Sequence, residues 1–199
     1  MDRREALKWV ATALAALPVM EWKSLGAEEL KRTLTDPDLF HPGKLWDRTL
    51  TKVELRAVAA LCDVIIPADE KSRSASEVGV PDFIDEWVSA PYPLQQENKT
   101  QIKDGLAWLD AEGKKRFEKE FADLTDEQKH GICNDICFAP KAKAEFEKAA
   151  RFFALFRNLT ATGFYTTKEG MKDLRYIGNT PQIGFKGPPK EVLEFLKLV

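Results

Sequence analysis

From Thr51 onward the apolar residues recur at three- and four-residue intervals, as expected of helices that each bury one face. Thr51-Lys52-Val53-Glu54 reads as a capping box, in which a hydroxyl and a carboxylate satisfy the free amides of a first turn. Leu55, Val58, Leu61, Cys62 and Ile65 then form one stripe, and Pro67 ends the helix. Residues 70–80 are small, polar and charged, which predicts a loop. Pro81 suits the first turn of a second helix, with Phe83, Ile84, Trp87 and Val88 on its apolar face. Pro91 and Pro93 separate it from a longer helix marked by Ile102, Leu106 and Leu109, followed after Gly113 by Phe117 and Phe121. Thr125-Asp126-Glu127-Gln128 is a second capping box. It predicts a helix through Ile132, Cys133, Ile136 and Cys137 that Pro140 stops. Phe146, Ala149, Ala150, Phe153 and Phe156 make the stripe of the next.

After Leu159 the periodicity is expected to fail. Gly163, Gly170, Gly178, Gly184, Gly187 and Pro188-Pro189 punctuate a stretch that holds Phe164, Tyr165, Tyr176 and Phe185. A last short helix from Pro189 would turn Val192, Leu193 and Leu196 inward. No stretch alternates apolar and polar residues as a strand would. The expectation is an all-α domain over 51–199, of about six to seven helices, with an irregular aromatic segment before the last one. Residues 21–50 read as an extended arm of turn chemistry, including Thr35-Asp36-Pro37-Asp38 and His41-Pro42-Gly43. Its large apolar groups, among them Phe40 and Trp46, need cover from this domain or from a partner.

The 199 residues carry 30 Lys and Arg against 32 Asp and Glu, a formal net charge of -2. A general nucleic-acid binder would show a basic surplus gathered on one face, so that class is set aside. Hydrophobic residues make up 44%, enough for a sizeable core. Only two histidines, His41 and His130, and three cysteines, Cys62, Cys133 and Cys137, are present. A nucleophilic triad or a four-ligand zinc site would have to be drawn from this small inventory.

The first residues change the picture. Met1-Asp2-Arg3-Arg4-Glu5-Ala6-Leu7-Lys8 precedes an apolar run from Trp9 to Met20. Arg3, Arg4, Leu7 and Lys8 resemble a twin-arginine export signal, with Ala6 in place of the usual Phe. The apolar run is short of the roughly 20 residues that a membrane-spanning helix requires. Ala13-Leu14-Ala15 offers a small-x-small cleavage site. Residues 1–20 are therefore expected to engage the twin-arginine translocon and to carry the chain out of the cytoplasm.

Candidate chemistry in the body is sparse. Asp63, Asp69 and Asp82 are the best acidic constellation, open to acid–base or metal work. The reading preferred for them is structural: carboxylates that bond loop amides where the chain turns, with Asp82 also favoured by the dipole of a first helical turn. His130, Cys133 and Cys137 fall at i, i+3 and i+7, one face of a helix, but no fourth metal ligand is evident unless Cys62 supplies it. A Cys133–Cys137 disulfide is disfavoured in a regular helix, where i,i+4 Cβ atoms stand about 5–6 Å apart and a bridge wants about 3.5–4.5 Å. A bridge from Cys62 to either stays open, and none is expected. There is no Cys-x-x-Cys-His for attached haem and no Gly-x-Gly-x-x-Gly after a strand.

Four blocks in order carry a resemblance. They are Leu61-Cys62-Asp63-Val64-Ile65-Ile66-Pro67-Ala68-Asp69, Glu77-Val78-Gly79-Val80-Pro81-Asp82-Phe83-Ile84-Asp85, Phe156-Arg157-Asn158-Leu159-Thr160 continuing through Gly163-Phe164-Tyr165-Thr166-Thr167, and Tyr176-Ile177-Gly178-Asn179-Thr180-Pro181 with Gly184-Phe185-Lys186-Gly187. Together with the paired arginines they resemble the gluconate 2-dehydrogenase subunit 3 family. One departure is Arg73-Ser74-Ala75-Ser76, where family members often carry Pro-Gly-Ala.

The resemblance implies a small subunit, without redox group or catalytic residues of its own, of a periplasmic or membrane-associated dehydrogenase. The large subunit would be an FAD-dependent protein of the glucose-methanol-choline type acting on a sugar, glycoside or polyol. A cytochrome c subunit, with haem c, often takes the electrons. The small subunit would escort the flavoprotein through twin-arginine export and stabilise it. Phe40, Trp46, Phe164, Tyr165, Tyr176 and Phe185 are then expected at the partner interface, since interface cores favour aromatics. The alternatives are a stand-alone exported protein with its own metal or ligand site, and a helical interaction module unconnected with a dehydrogenase.

Overall fold

The computed structural model describes residues 46–176, 178, 184 and 187–198. The export residues Arg3, Arg4, Leu7 and Lys8, and the expected interface residues Phe40 and Phe185, lie outside the described residues. Among the described residues there are seven α-helices and no strand. They are α1 Lys52–Ile65, α2 Val80–Ser89, α3 Pro93–Phe117, α4 Asp126–Asn134, α5 Glu147–Tyr165, α6 Lys168–Asp173 and α7 Lys190–Phe195. Short 3-10 turns lie at Phe121–Asp123, Ala139–Lys141 and Ala144–Phe146.

Both capping boxes form. The Thr51 hydroxyl accepts the Glu54 N–H at 3.2 Å, and the Glu54 carboxylate accepts the Thr51 N–H at 2.7 Å. At the start of α4, Thr125 Oγ1 accepts the Gln128 N–H at 3.3 Å and Gln128 Oε1 accepts the Thr125 N–H at 3.0 Å. Pro81 occupies the first turn of α2, where its missing N–H costs nothing. The long α3 packs against both α2 and α5, and α1 crosses α2, α3 and α5. Their shared interior is filled by Leu61, Ile84, Ile102, Leu109 and Ile132 around Phe121, Phe152, Phe156 and Phe164. Truncating one such ring to alanine removes about 3–5 kcal/mol.

Three local outcomes differ from the sequence expectation. First, α4 stops at Asn134 rather than running through Cys137. The Ile136 N–H bonds to the Cys133 carbonyl in a tighter turn, and Phe138 is extended. Pro140 has no N–H to donate to the Ile136 carbonyl and its ring would crowd that oxygen, so a regular helix cannot run on through this stretch. Second, α5 continues past Leu159 to Tyr165. Gly163 is there for contact: a Cβ at this position would sit 2.8 Å from Phe83 Cδ1. Removing a side chain lets α5 close on α2, which outweighs the weak helix propensity of glycine. Third, α7 has no buried residue; Val192 and Leu196, expected inward, are exposed.

Candidate functional site

The α1–α2 connection is held by carboxylates. Asp63, near the end of α1, accepts the Ser76 N–H at 2.9 Å and the Ser76 hydroxyl at 2.7 Å. Asp69 accepts the N–H groups of Lys71 and Ser72, both at 2.7 Å. Those two amides hold the Asp69 carboxyl below its ordinary range. Within the loop the Ser74 N–H bonds Glu77, and the Ala75 N–H bonds the Ile66 carbonyl at 3.0 Å. Ala75 is fully buried, and Arg73-Ser74-Ala75-Ser76 is held by bonds to Glu169, Glu77, Ile66 and Asp63 in turn.

Asp82 stands in the first helical turn as expected but ties no loop amide. It is exposed in the first turn of α2, and among the described residues no hydrogen bond reaches its carboxylate. The tie is made three positions later. Asp85, 4% exposed, accepts the N–H groups of Thr49 at 3.2 Å and Leu50 at 3.0 Å, which fixes the segment entering α1. Ser89 on the next turn accepts the Thr49 N–H at 2.9 Å. The clue in the sequence was a carboxylate flanking the apolar face of Ile84 and Val88, one turn before a serine.

A hollow of about 400 Å³ lies beside this loop, bordered by Asp63, Ser76, Glu77, Asp126, Lys129 and His130. Its polar groups largely bond one another. Both Asp63 oxygens are taken by Ser76, and Lys129 pairs with Asp126 at 3.4 Å. The Ser76 hydroxyl proton rests on Asp63, so serine and histidine are not set as nucleophile and base. The expected face of His130, Cys133 and Cys137 is divided: Cys133 is buried, while His130 and Cys137 are exposed. Among the described residues no group of three or more His, Cys, Asp or Glu could hold a metal ion. Burial pushes the Cys133 thiol up to about 12, with nearby Cys137 adding to it. Burial likewise takes Cys62 to about 12, reinforced by the Asp63 charge and opposed by a contact with the Thr160 hydroxyl at 3.8 Å.

The expected interface aromatics also divide. Phe164, expected on a partner, is 1% exposed and belongs to the core. It sits on the inner face of α5, and its carbonyl lies where a Cβ on Gly170 would have to be. Its neighbour Tyr165 points out at 38% exposure, with Leu174 at 57% and Tyr176 at 56% close by in sequence. Trp46 is half-buried. The described surface therefore carries apolar groups at the α5–α6 end.

The family model for gluconate 2-dehydrogenase subunit 3 matches residues 52–187. The chain belongs to the gluconate 2-dehydrogenase subunit 3 family. No curated protein and no solved structure matches it. In this subunit 3 chain the matched residues begin with α1 and end before α7. They take in the Asp63–Ser76 tie, the Asp85 carboxylate and the α5–α6 surface. Membership implies an accessory role in a dehydrogenase complex, with dehydrogenase subunits as partners. No helix among the described residues is long and apolar enough to cross a membrane.

Proposed function

We propose that this subunit 3 chain is a non-catalytic escort. It binds an FAD-dependent dehydrogenase of the glucose-methanol-choline type, acting on a sugar, glycoside or polyol, and takes it through the twin-arginine route to the periplasm. The observation that carries the reading is the family match over 52–187 in a chain that opens Met1-Asp2-Arg3-Arg4. Twin-arginine transport moves folded proteins, so a flavoprotein loaded with FAD in the cytoplasm can travel on a partner's signal. FAD would belong to that partner, and haem c to a further cytochrome subunit. The contact assigned to the flavoprotein is the α5–α6 end, where Tyr165, Leu174 and Tyr176 present apolar surface to solvent.

The test is capture of the tagged chain from cells that make it natively, followed by flavin fluorescence of the captured complex and cell fractionation. Wild type is expected to bring down a flavoprotein from the periplasmic fraction. Arg3→Lys with Arg4→Lys is expected to leave that flavoprotein in the cytoplasm, still bound. Normal export of the flavoprotein beside the double variant overturns the escort role. Oxidation of a sugar by the purified chain alone overturns the non-catalytic one.

A further inference from the structure

An open groove of about 570 Å³ runs between α3 and α5, away from the α1–α2 loop and from the α5–α6 end. Its floor is Gly105, Ala149 and Phe152. A Cβ on Gly105 would fall 2.0 Å from Phe152 Cγ, so the Phe152 ring lies flat on the bare α3 backbone at this point and leaves a channel above it. Glu97 and Asp104, both exposed, stand on the α3 rim; Lys148 and Arg151, both exposed, stand on the α5 rim. Arg151 pairs with Glu147 at 2.6 Å. From Glu97 to Trp108 the α3 wall is about 16 Å long at 1.5 Å per residue. A channel of this kind, apolar below with opposite charges on its two rims, suits an amphipathic helix rather than a small rigid ligand.

The same chain displays such a helix. α7 buries nothing: Phe195 is 84% exposed, Leu198 67% and Leu196 55%. At about 100° per residue, Val192, Leu193, Phe195 and Leu196 fall on one arc. Glu191 borders that arc beyond Phe195, and Lys190, which pairs with Glu194 at 3.5 Å on the outer face, borders it beyond Leu193. The helix thus has an apolar stripe with one acidic and one basic edge, which matches the groove edge for edge. Its six residues span about 9 Å, within the length of the α3 wall. In a single chain the helix stays uncovered while the groove stays open.

We propose that the α3–α5 groove receives α7 of a second copy of this chain. The exchange is reciprocal, with Glu191 toward Lys148 and Arg151 and Lys190 toward Glu97 and Asp104. Each copy then covers the exposed apolar helix of the other, as an isologous pair requires. The inference is independent of the dehydrogenase partner.

The test is light scattering on the purified full chain over a concentration series. Wild type is expected to approach twice the 22.5 kDa chain mass as concentration rises. Phe195→Asp alters only an exposed side chain, and Glu97→Lys with Asp104→Lys makes both rims basic through exposed positions. Each variant, with helical content unchanged by circular dichroism, is expected to stay at the mass of one chain. A mixture of the two is expected to regain dimer, because one supplies an intact groove and the other an intact α7. A monomeric wild type overturns the proposal. So does a dimer indifferent to both variants, as when a partner polypeptide is what fills the groove, and so does a mixture that stays monomeric.

Discussion

Asp63 holds Ser76 by both its backbone and its side chain, at 2.9 and 2.7 Å across 13 residues of sequence. One carboxylate thereby closes the loop between α1 and α2 and sets where α2 begins. Asp63→Ala leaves the Ser76 amide without this acceptor and is expected to lower unfolding free energy by about 1–3 kcal/mol. Ser76→Ala removes only the hydroxyl bond and is expected to cost about 1 kcal/mol. Urea titration of both single variants and the double variant gives the coupling. Strict additivity would show that the pair is not a unit.

The two carboxylates of α2 are expected to separate in the same measurement. Asp85→Asn keeps the size but weakens acceptance of the Thr49 and Leu50 amides in a buried site, so about 2–3 kcal/mol is expected. Asp82→Asn changes an exposed first-turn charge, worth about 0.3–1 kcal/mol through the helix dipole. Equal costs would contradict the assignment of Asp85 as the tie.

Helix identity was legible from caps and stripes, because Thr51 and Thr125 announce first turns locally and Leu61 or Ile132 repeat on one face. What stayed hidden depended on distant neighbours. Gly163 reads as a breaker until Phe83 is seen against it; with α5 extended, Phe164 follows inward. A first-turn acid such as Asp82 has a local explanation in the sequence, whereas Asp85 acts on amides 35 and 36 residues earlier. Asp63 and Asp69 were visible as candidate loop acids. The donors to Asp69 are its near neighbours Lys71 and Ser72, whereas Ser76, the donor to Asp63, emerged only when the loop folded back.

Glu112 gives the chain an acid-sensitive contact. The residue is 6% exposed on α3, and its carboxylate meets Arg116 at 2.7 Å and Lys115 at 3.1 Å. Burial alone would raise its pKa, but the bonds and charges of Arg116 and Lys115 outweigh that and leave it lowered. A carboxyl lowered by folding stabilises above its unfolded pKa, and the stabilisation is lost as pH falls through the folded value. Wild type is therefore expected to exceed Glu112→Gln by about 1–2 kcal/mol at neutral pH. The gap should narrow in acid below the ordinary value of 4.5. A gap that widens on acidification would reverse the sign of the contribution.

The three thiols are expected to report the ending of α4 at Asn134. Had the helix run on through Cys137, the one-face spacing would have given Cys133 and Cys137 similar surroundings. Instead Cys133 stays inside with a thiol near 12, and Cys137 emerges where the backbone loosens, donating weakly to the Asn134 carbonyl at 3.5 Å. Cys62 is sealed beneath α5 against Thr160. Reaction depends on the thiolate and on access to it, so folded protein should take up one equivalent of iodoacetamide quickly. The other two should react only when urea opens the core. Peptide mass spectrometry should place the early label on Cys137, and Cys137→Ser should abolish the fast phase while leaving the urea midpoint within about 0.5 kcal/mol of wild type. Fast labelling at Cys133 in folded protein would mean that the end of α4 opens, and that its buried thiol is not held by the packing described.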